Sequence, residues 1–291
     1  MANKKIAEMV AERILAELEK GIIPWRKPWS ESGRWAVSHN NGKRYSLLNQ
    51  LLLGEPGEYI TFNQCRAAGG KVKKGAKSKF VVFWSPVVKT ETNDAGEELV
   101  KKYFVLKYYN VFNLKDCEGV DVKYFKMPEL TEHDSVKEAE EIIGLYQENN
   151  PELTIERESL SDRAFYSPTF DSITVPMKEQ FKSIAEFYST LFHEMGHSTG
   201  HSSRLNRFKG EAAVARFGSE EYSKEELVAE IVSATLMNHI GIETSSSFEN
   251  SAAYIAGWSK KIKEDPDVII AAAGKAEKAV QYILGNEEEA A

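Results

Sequence analysis

The residues best placed to do chemistry lie in Leu191-Phe192-His193-Glu194-Met195-Gly196-His197. An α-helix repeats every 3.6 residues, so His193 and His197, four apart, project from one face about one turn from each other, where two imidazoles can grip the same ion. Glu194 sits beside the first histidine. At that offset its carboxylate can reach a water near the ion without being a ligand, which is the position of a general base in metal-assisted hydrolysis.

The pattern H-E-x-x-H is the zincin metallopeptidase signature, and because short matches arise by chance its neighbours must decide. A catalytic zinc has three protein ligands, so one more is required. In the metzincin spacing Gly200 is in place but the third ligand falls on Ser203, while His201 lies two residues early and can swing in after the turn. Residues 224–236 form a helix pattern with Leu227, Ile231 and Ala234 inward and Glu226 and Glu230 one turn apart on an adjacent stripe. This resembles the second helix of the gluzincins, in which E-x-x-x-D supplies the third ligand and then an acid that orients the first histidine. The resemblance makes Glu226 the ligand and Glu230 the acid on the other nitrogen of His193. The departure is Glu for Asp at 230, and helix register leaves Glu230 open as the ligand instead. Zn2+ is the implied ion, with another divalent metal open. His201 remains a candidate for support beside the metal, and with Tyr222 and Tyr254 for steadying an oxyanion.

The elements that must hold these groups occupy the second half of the chain. A helix over 134–148 precedes short strands at 153–158, 163–166 and 172–175, then a helix over 183–199 that carries the motif and is followed by Gly200. The tail from 250 to 285 reads as two packing helices. The expectation is an α+β protein with domains at 1–127 and 128–291, the second a small sheet with active-site helices.

The first half is electrically different. The chain of 291 residues carries 37 Lys+Arg against 44 Asp+Glu, a net charge of −7, yet residues 1–125 hold 21 basic and 14 acidic side chains. Between residues 20 and 85 there are 12 basic residues and three acids, more than a solvated face needs. After an amphipathic helix over 3–20 comes Pro24-Trp25-Arg26-Lys27-Pro28-Trp29, with Arg34 close behind; aromatics interleaved with cations can stack bases while meeting phosphates, or the tryptophans can pin the loop to the core. Lys43 and Arg44 add charge, and Lys71, Lys73, Lys74 and Lys77 sit in a glycine-bearing stretch that reads as a flexible basic loop. Strands at 79–84 and 103–112 should pair as a hairpin across Asn93-Asp94-Ala95-Gly96. Cys65 and Cys117 make neither a disulfide framework nor a metal site and read as two separate buried thiols. No secretory segment or long apolar run is evident, so a soluble cytoplasmic protein without membrane contact is expected.

Several stretches in order carry a more specific resemblance: Pro24 to Trp29, Tyr59-Ile60-Thr61-Phe62-Asn63-Gln64, Gly69-Gly70-Lys71-Val72-Lys73-Lys74-Gly75, Tyr109-Asn110-Val111-Phe112-Asn113, Tyr166-Ser167-Pro168-Thr169-Phe170-Asp171, and His193 onward to Arg207. Together they resemble the ArdC antirestriction family from about residue 3 to 285. The resemblance implies an N-terminal domain that binds single-stranded DNA and a C-terminal zincin-like metallopeptidase domain acting on a protein substrate still to be identified. It further implies carriage by mobile elements and protection of incoming DNA against restriction. At Tyr45-Ser46-Leu47-Leu48-Asn49 the sequence departs from a glycine-bearing turn of that family.

Overall fold

The computed structural model describes residues 2–26, 35–92, 98–125, 132–159, 162–208, 220–242 and 252–286. Helix α1 (Ala2–Leu18) buries Ile6, Val10, Ile14 and Leu18, the face its spacing predicts, and the chain turns away where Gly21 takes φ 77°, a value that side chains with a Cβ resist. A 3-10 turn (Pro24–Arg26) follows. Then come β1 (Ala36–Ser38), α2 (Leu47–Leu53), β2 (Gly57–Thr61), α3 (Phe62–Ala67), β3 (Lys71–Val72), β4 (Lys79–Thr92), β5 (Glu98–Asn113) and β6 (Cys117–Glu118). One sheet has the order β1-β2-β5-β4. The expected hairpin is present as β4 and β5, paired antiparallel from Lys79↔Val111 to Thr92↔Glu98, and both strands run past the bounds the sequence suggested. The turn expected between them lies outside the described residues.

Three features differ from expectation. Lys71 and Val72 are strand rather than flexible loop, because they pair with Glu118 and Cys117 of β6. Helix α2 has no polar face to give a period, since all seven of its residues are buried. Helix α3 is six residues long and is set by a capping box, with Gln64 N donating to Thr61 Oγ1 and Thr61 N donating to Gln64 Oε1. The two cysteines are free and buried as expected, but they share one small cluster with Ile60 and Leu114. Burial, together with the neighbouring Cys65, pushes the Cys117 thiol up to about 12.

The second half runs α4 (Glu132–Asn149), β7 (Thr154–Ser159), β8 (Phe165–Ser167), β9 (Ser172–Pro176), α5 (Ile184–Ser198), α6 (Glu220–His239), α7 (Ala252–Glu264) and α8 (Val268–Ile283). Its sheet has the order β7-β9-β8, with β7 parallel and β8 antiparallel to β9. The architecture is α+β. Helix α5 starts where Ser183 Oγ accepts from Glu186 N, a cap on a donor that would otherwise lack a partner. Helix α6 is buried along most of its length and lies against both α5 and α8. Val10 and Ile14 of α1, Leu51 of α2 and Val82 of β4 join Leu227, Ile231 and Ile269 in one apolar cluster, so residues on both sides of the expected boundary at 127 and 128 share a core. Among the described residues no helix is long and apolar enough to cross a membrane.

Trp25 is central to that junction. It is 1% exposed, packs edge-on to Trp258 with ring centroids 5.8 Å apart, and its Nε1 donates to Glu230 Oε2 at 2.9 Å. The ring is therefore core, not a stacking platform for bases. Trp25→Ala should lower stability by about 3–5 kcal/mol, the range for truncating a buried aromatic, and a melting curve matching the parent's would contradict this placement.

Glu140 ties α4 to the rest. It accepts from Arg157 Nη1 (2.5 Å), Tyr188 Oη (2.7 Å) and Lys178 Nζ (3.1 Å), linking β7 and α5 to α4. Burial alone would raise its carboxyl, but Arg157, Tyr188 and Lys178 outweigh it and hold the group at about 2 against an ordinary 4.5. A depressed folded value gives stability that is complete above the unfolded value and drains away as pH falls through the folded one. Solvent screening keeps the amount modest. Glu140→Gln should flatten the acid-side loss of stability between those two values in denaturant titrations, and an unaltered slope would count against the network.

Candidate metal centre

Helix α5 points Phe187, Tyr188, Leu191, Phe192 and Met195 into the core, which leaves His193 and His197 at its open edge. Gly196 lies between them and touches α6: a Cβ there would meet Ala229 Cα at 3.1 Å and Val232 Cβ at 3.2 Å, tighter than nine in ten real contacts. The missing side chain lets the helices close, and closure brings Glu226 opposite both histidines. His193 Nε2 and His197 Nε2 are 3.1 Å apart, with Glu226 carboxylate oxygens 3.5 Å from the first and 3.3 Å from the second. Ligands about 2.0–2.1 Å from a tetrahedral ion stand about 3.3–3.4 Å from one another, so the three side chains lie close to the spacing such an ion requires. Two imidazoles and one carboxylate are also a donor set suited to zinc or a similar divalent metal. Among the described residues these three form the cluster able to hold a metal.

The charges of the cluster act strongly on one another. Burial would raise the Glu226 carboxyl, but His193 and His197 hold it well below the usual carboxylate range. Burial would lower His197, yet Glu225 and Glu226 push it up. Glu194 is buried beside the first histidine and outside the ligand cluster, where the sequence places a base.

The supporting residues differ from those expected. Glu230 bonds Trp25 rather than His193, because the register of α6 turns it one helical turn away toward the 3-10 turn of the first half. Glu225 instead is an acid near this side of the cluster, with its Oε1 3.9 Å from His197 Nδ1. Arg207 holds Glu225 through Nε (3.2 Å) and Nη2 (2.5 Å), while Nη2 also donates to Gly196 O and Nη1 to Thr199 Oγ1. Against burial, His197 and Arg207 keep the Glu225 carboxyl low. His201 contacts Ser203 and Asp171. Its Nδ1 lies 2.8 Å from Ser203 Oγ and 3.8 Å from Asp171 Oδ2, in a turn fixed by Arg204, which donates to Asp171 and to Ser198 O. His201 is not part of the cluster formed by His193, His197 and Glu226. The side chains of Tyr222 and Tyr254 lie outside the described part.

The expected DNA-contacting residues are dispersed. Lys27, Trp29 and Arg34 lie outside the described residues, and Arg26 ends the 3-10 turn with its side chain outside them. Lys43, Lys74 and Lys77 are exposed. Lys71 pairs with Glu118, and Lys73 Nζ donates to Lys115 O, which still leaves both at the surface. Arg44 turns inward: its guanidinium lies 3.5 Å over the Trp35 ring, and burial lowers its pKa, so it does not face a phosphate here. Sequence reasoning missed an exposed aromatic set on β4 and β5, comprising Phe83, Trp84, Tyr103, Phe104, Tyr108 and Tyr109. Aromatic-rich strands read as core; the signal was the lysines between them, Lys101, Lys102 and Lys107.

Residues 4–112 match the family described as the N-terminal domain of anti-restriction factor ArdC, and residues 147–275 match the family described as zincin-like metallopeptidase. The metal-free crystal structure of the antirestriction ArdC protein from plasmid R388 is 32% identical, with a TM-score of 0.75, covering 97% of this chain and 99% of that one. Its Mn(II)-bound structure gives 30% and 0.71, covering 98% and 99%. A DNA primase TraC of Escherichia coli is 35% identical over 99% of this chain, which spans 28% of that protein's length.

Because a carboxylate behind a ligating histidine fixes its ring and raises its basicity, Glu225→Gln should weaken divalent-metal affinity about 10- to 100-fold. Calorimetric titration of the purified protein with Zn2+ or Mn2+ measures this directly, and an affinity equal to the parent's would remove Glu225 from the site.

Proposed function

The chain belongs to the ArdC-type antirestriction family, and from that premise we propose that it is a zinc-dependent peptidase localised to single-stranded DNA by its basic half. The observation that carries the reading is the convergence of His193, His197 and Glu226 with Glu194 alongside. Zn2+ bound there would polarise a substrate carbonyl and acidify a water. Glu194 would take that water's proton and return it to the leaving amine. Strand β8, at the edge of its three-stranded sheet, packs against α5 and offers a backbone edge along which an extended peptide can align. His193 and His197 are held in register by α5, and Glu226 by α6, so the peptide bond would meet a preset geometry.

The DNA part is supported by the 21 basic and 14 acidic residues of the first 125, and by the likeness to a protein named as a DNA primase. The site of action would be the cytoplasm, where incoming DNA meets restriction enzymes. Binding should fall linearly in log affinity with log salt. Equal affinity at 50 mM and 300 mM salt, roughly the span over which phosphate contacts tell, would argue against it.

Glu194→Ala tests the enzymatic part. It should keep metal and DNA binding while abolishing protection of transferred DNA, a loss of about 100-fold or more for removal of a general base. Full protection by this variant would instead favour a shield that works by occupancy, with the zincin-like part a docking module.

A further inference from the structure

Two stretches that carry the family resemblance, Thr61 to Gln64 and Tyr109-Asn110, are far apart in sequence but adjacent in space. The pairing of β2 with β5, Thr61 opposite Val111, sets them side by side. Between them lies an open cavity of about 440 Å³ lined by Thr61, Phe62, Asn63, Gln64, Tyr109 and Asn110. Phe62 and Tyr109 are 48% and 46% exposed and so present ring surface to solvent. The three amides Asn63, Gln64 and Asn110 are exposed as well. Gln64 commits its Oε1 to Thr61, so its amide NH2 is the end left to face a ligand.

Tyr109 links the cavity to further aromatics on the hairpin. Residues opposite each other in a sheet share a face, and positions two apart along a strand return to it. Tyr109, Lys107 and Tyr103 therefore lie on one face of β5, with Val81, Phe83 and Val87 beside them on β4. The Phe83 ring stands 6.0 Å from that of Tyr109. Residues 61–112 contain ten Lys+Arg and four Asp+Glu, so the surroundings favour a polyanion. Exposed aromatics on a positively charged strand surface, ending in a cavity with amide donors and acceptors, match the chemistry of a single nucleic-acid strand: rings for base faces, cations for phosphates, amides for a base edge. An apolar protein partner would not call for the interleaved lysines.

We infer that this cavity is a base-binding pocket, holding one unstacked base of single-stranded DNA against Phe62 and Tyr109, with the adjoining strand laid across Phe83, Lys107 and Tyr103. This rests on the single-stranded DNA reading above and assigns it a place. The amides select the edge of the inserted base, while the path beyond the pocket contributes stacking and charge without reading sequence.

The test is fluorescence anisotropy of the full chain with a labelled thymidine oligonucleotide of roughly a dozen or more nucleotides, matching the site sizes of stacking proteins. Tyr109→Ala and Phe62→Ala should each weaken binding about 5- to 100-fold with an unchanged salt slope, whereas Lys107→Ala should lower the slope by about one. Oligonucleotides carrying one abasic site, moved along the strand, should show one position that costs most. Both aromatic side chains are exposed, so melting temperatures should stay at the parent value and report any loss of fold. Parent-like affinity in both aromatic variants, with the parent binding DNA, overturns the pocket and leaves the DNA reading standing. No binding by the parent protein at low salt overturns both.

Discussion

The close approach of α5 and α6 at Gly196 is the constraint on which the site depends. Two histidines on one helix supply only half of a metal site, and the remaining donor must come from another element at a distance fixed to a few tenths of an ångström. Here the backbone of α5 comes near enough to Ala229 and Val232 that a methyl group at 196 would be tight. The same contact sets the histidines against Glu226. Helix α6 can serve as the fixed wall because it is buried between α5 and α8, with Leu227, Val228, Ile231 and Val232 all in the core. The precision of the site is therefore a property of apolar packing on the far side of both helices.

The first half of the chain is joined to that wall. Trp25 donates to Glu230, one turn along α6 from Glu226, and packs against Trp258. Leu47 N donates to Glu277 of α8, so α2 is tied to the same helical stack. These contacts place the basic half on a shared core, not on a free tether.

Much of this was legible in the sequence, and the failures have physical causes. The helix over 183–199 and the strong pattern at 224–236 were readable because apolar period and motif agreed, and both became α5 and α6. The two histidines share a face because of their spacing, and Glu226 was suggested by the gluzincin resemblance; these three form the metal-capable cluster among the described residues. The supporting acid did not: Glu225 and Glu230 are both acidic neighbours of Glu226, and only the rotation of α6 against α5 decides which one backs a histidine. Arg207 was invisible for the same reason, since its fork on Glu225 spans a turn whose path no periodicity describes. Charge located the basic half but did not say which cations stay at the surface; Arg44 turns in over Trp35. Aromatic strands are ambiguous in sequence, because burial and exposure use the same residues.

His193, His197 and Glu226 are expected to hold one divalent ion with room left for substrate. Diffraction at a metal absorption edge, from crystals grown with Zn2+ or Mn2+, tests it most directly. One anomalous peak is expected about 2.0–2.2 Å from both histidine Nε2 atoms and from a Glu226 oxygen, with the Glu194 carboxylate outside bonding range. A peak ligated by Glu230 or His201, or none at this cluster in metal-saturated crystals, would contradict it.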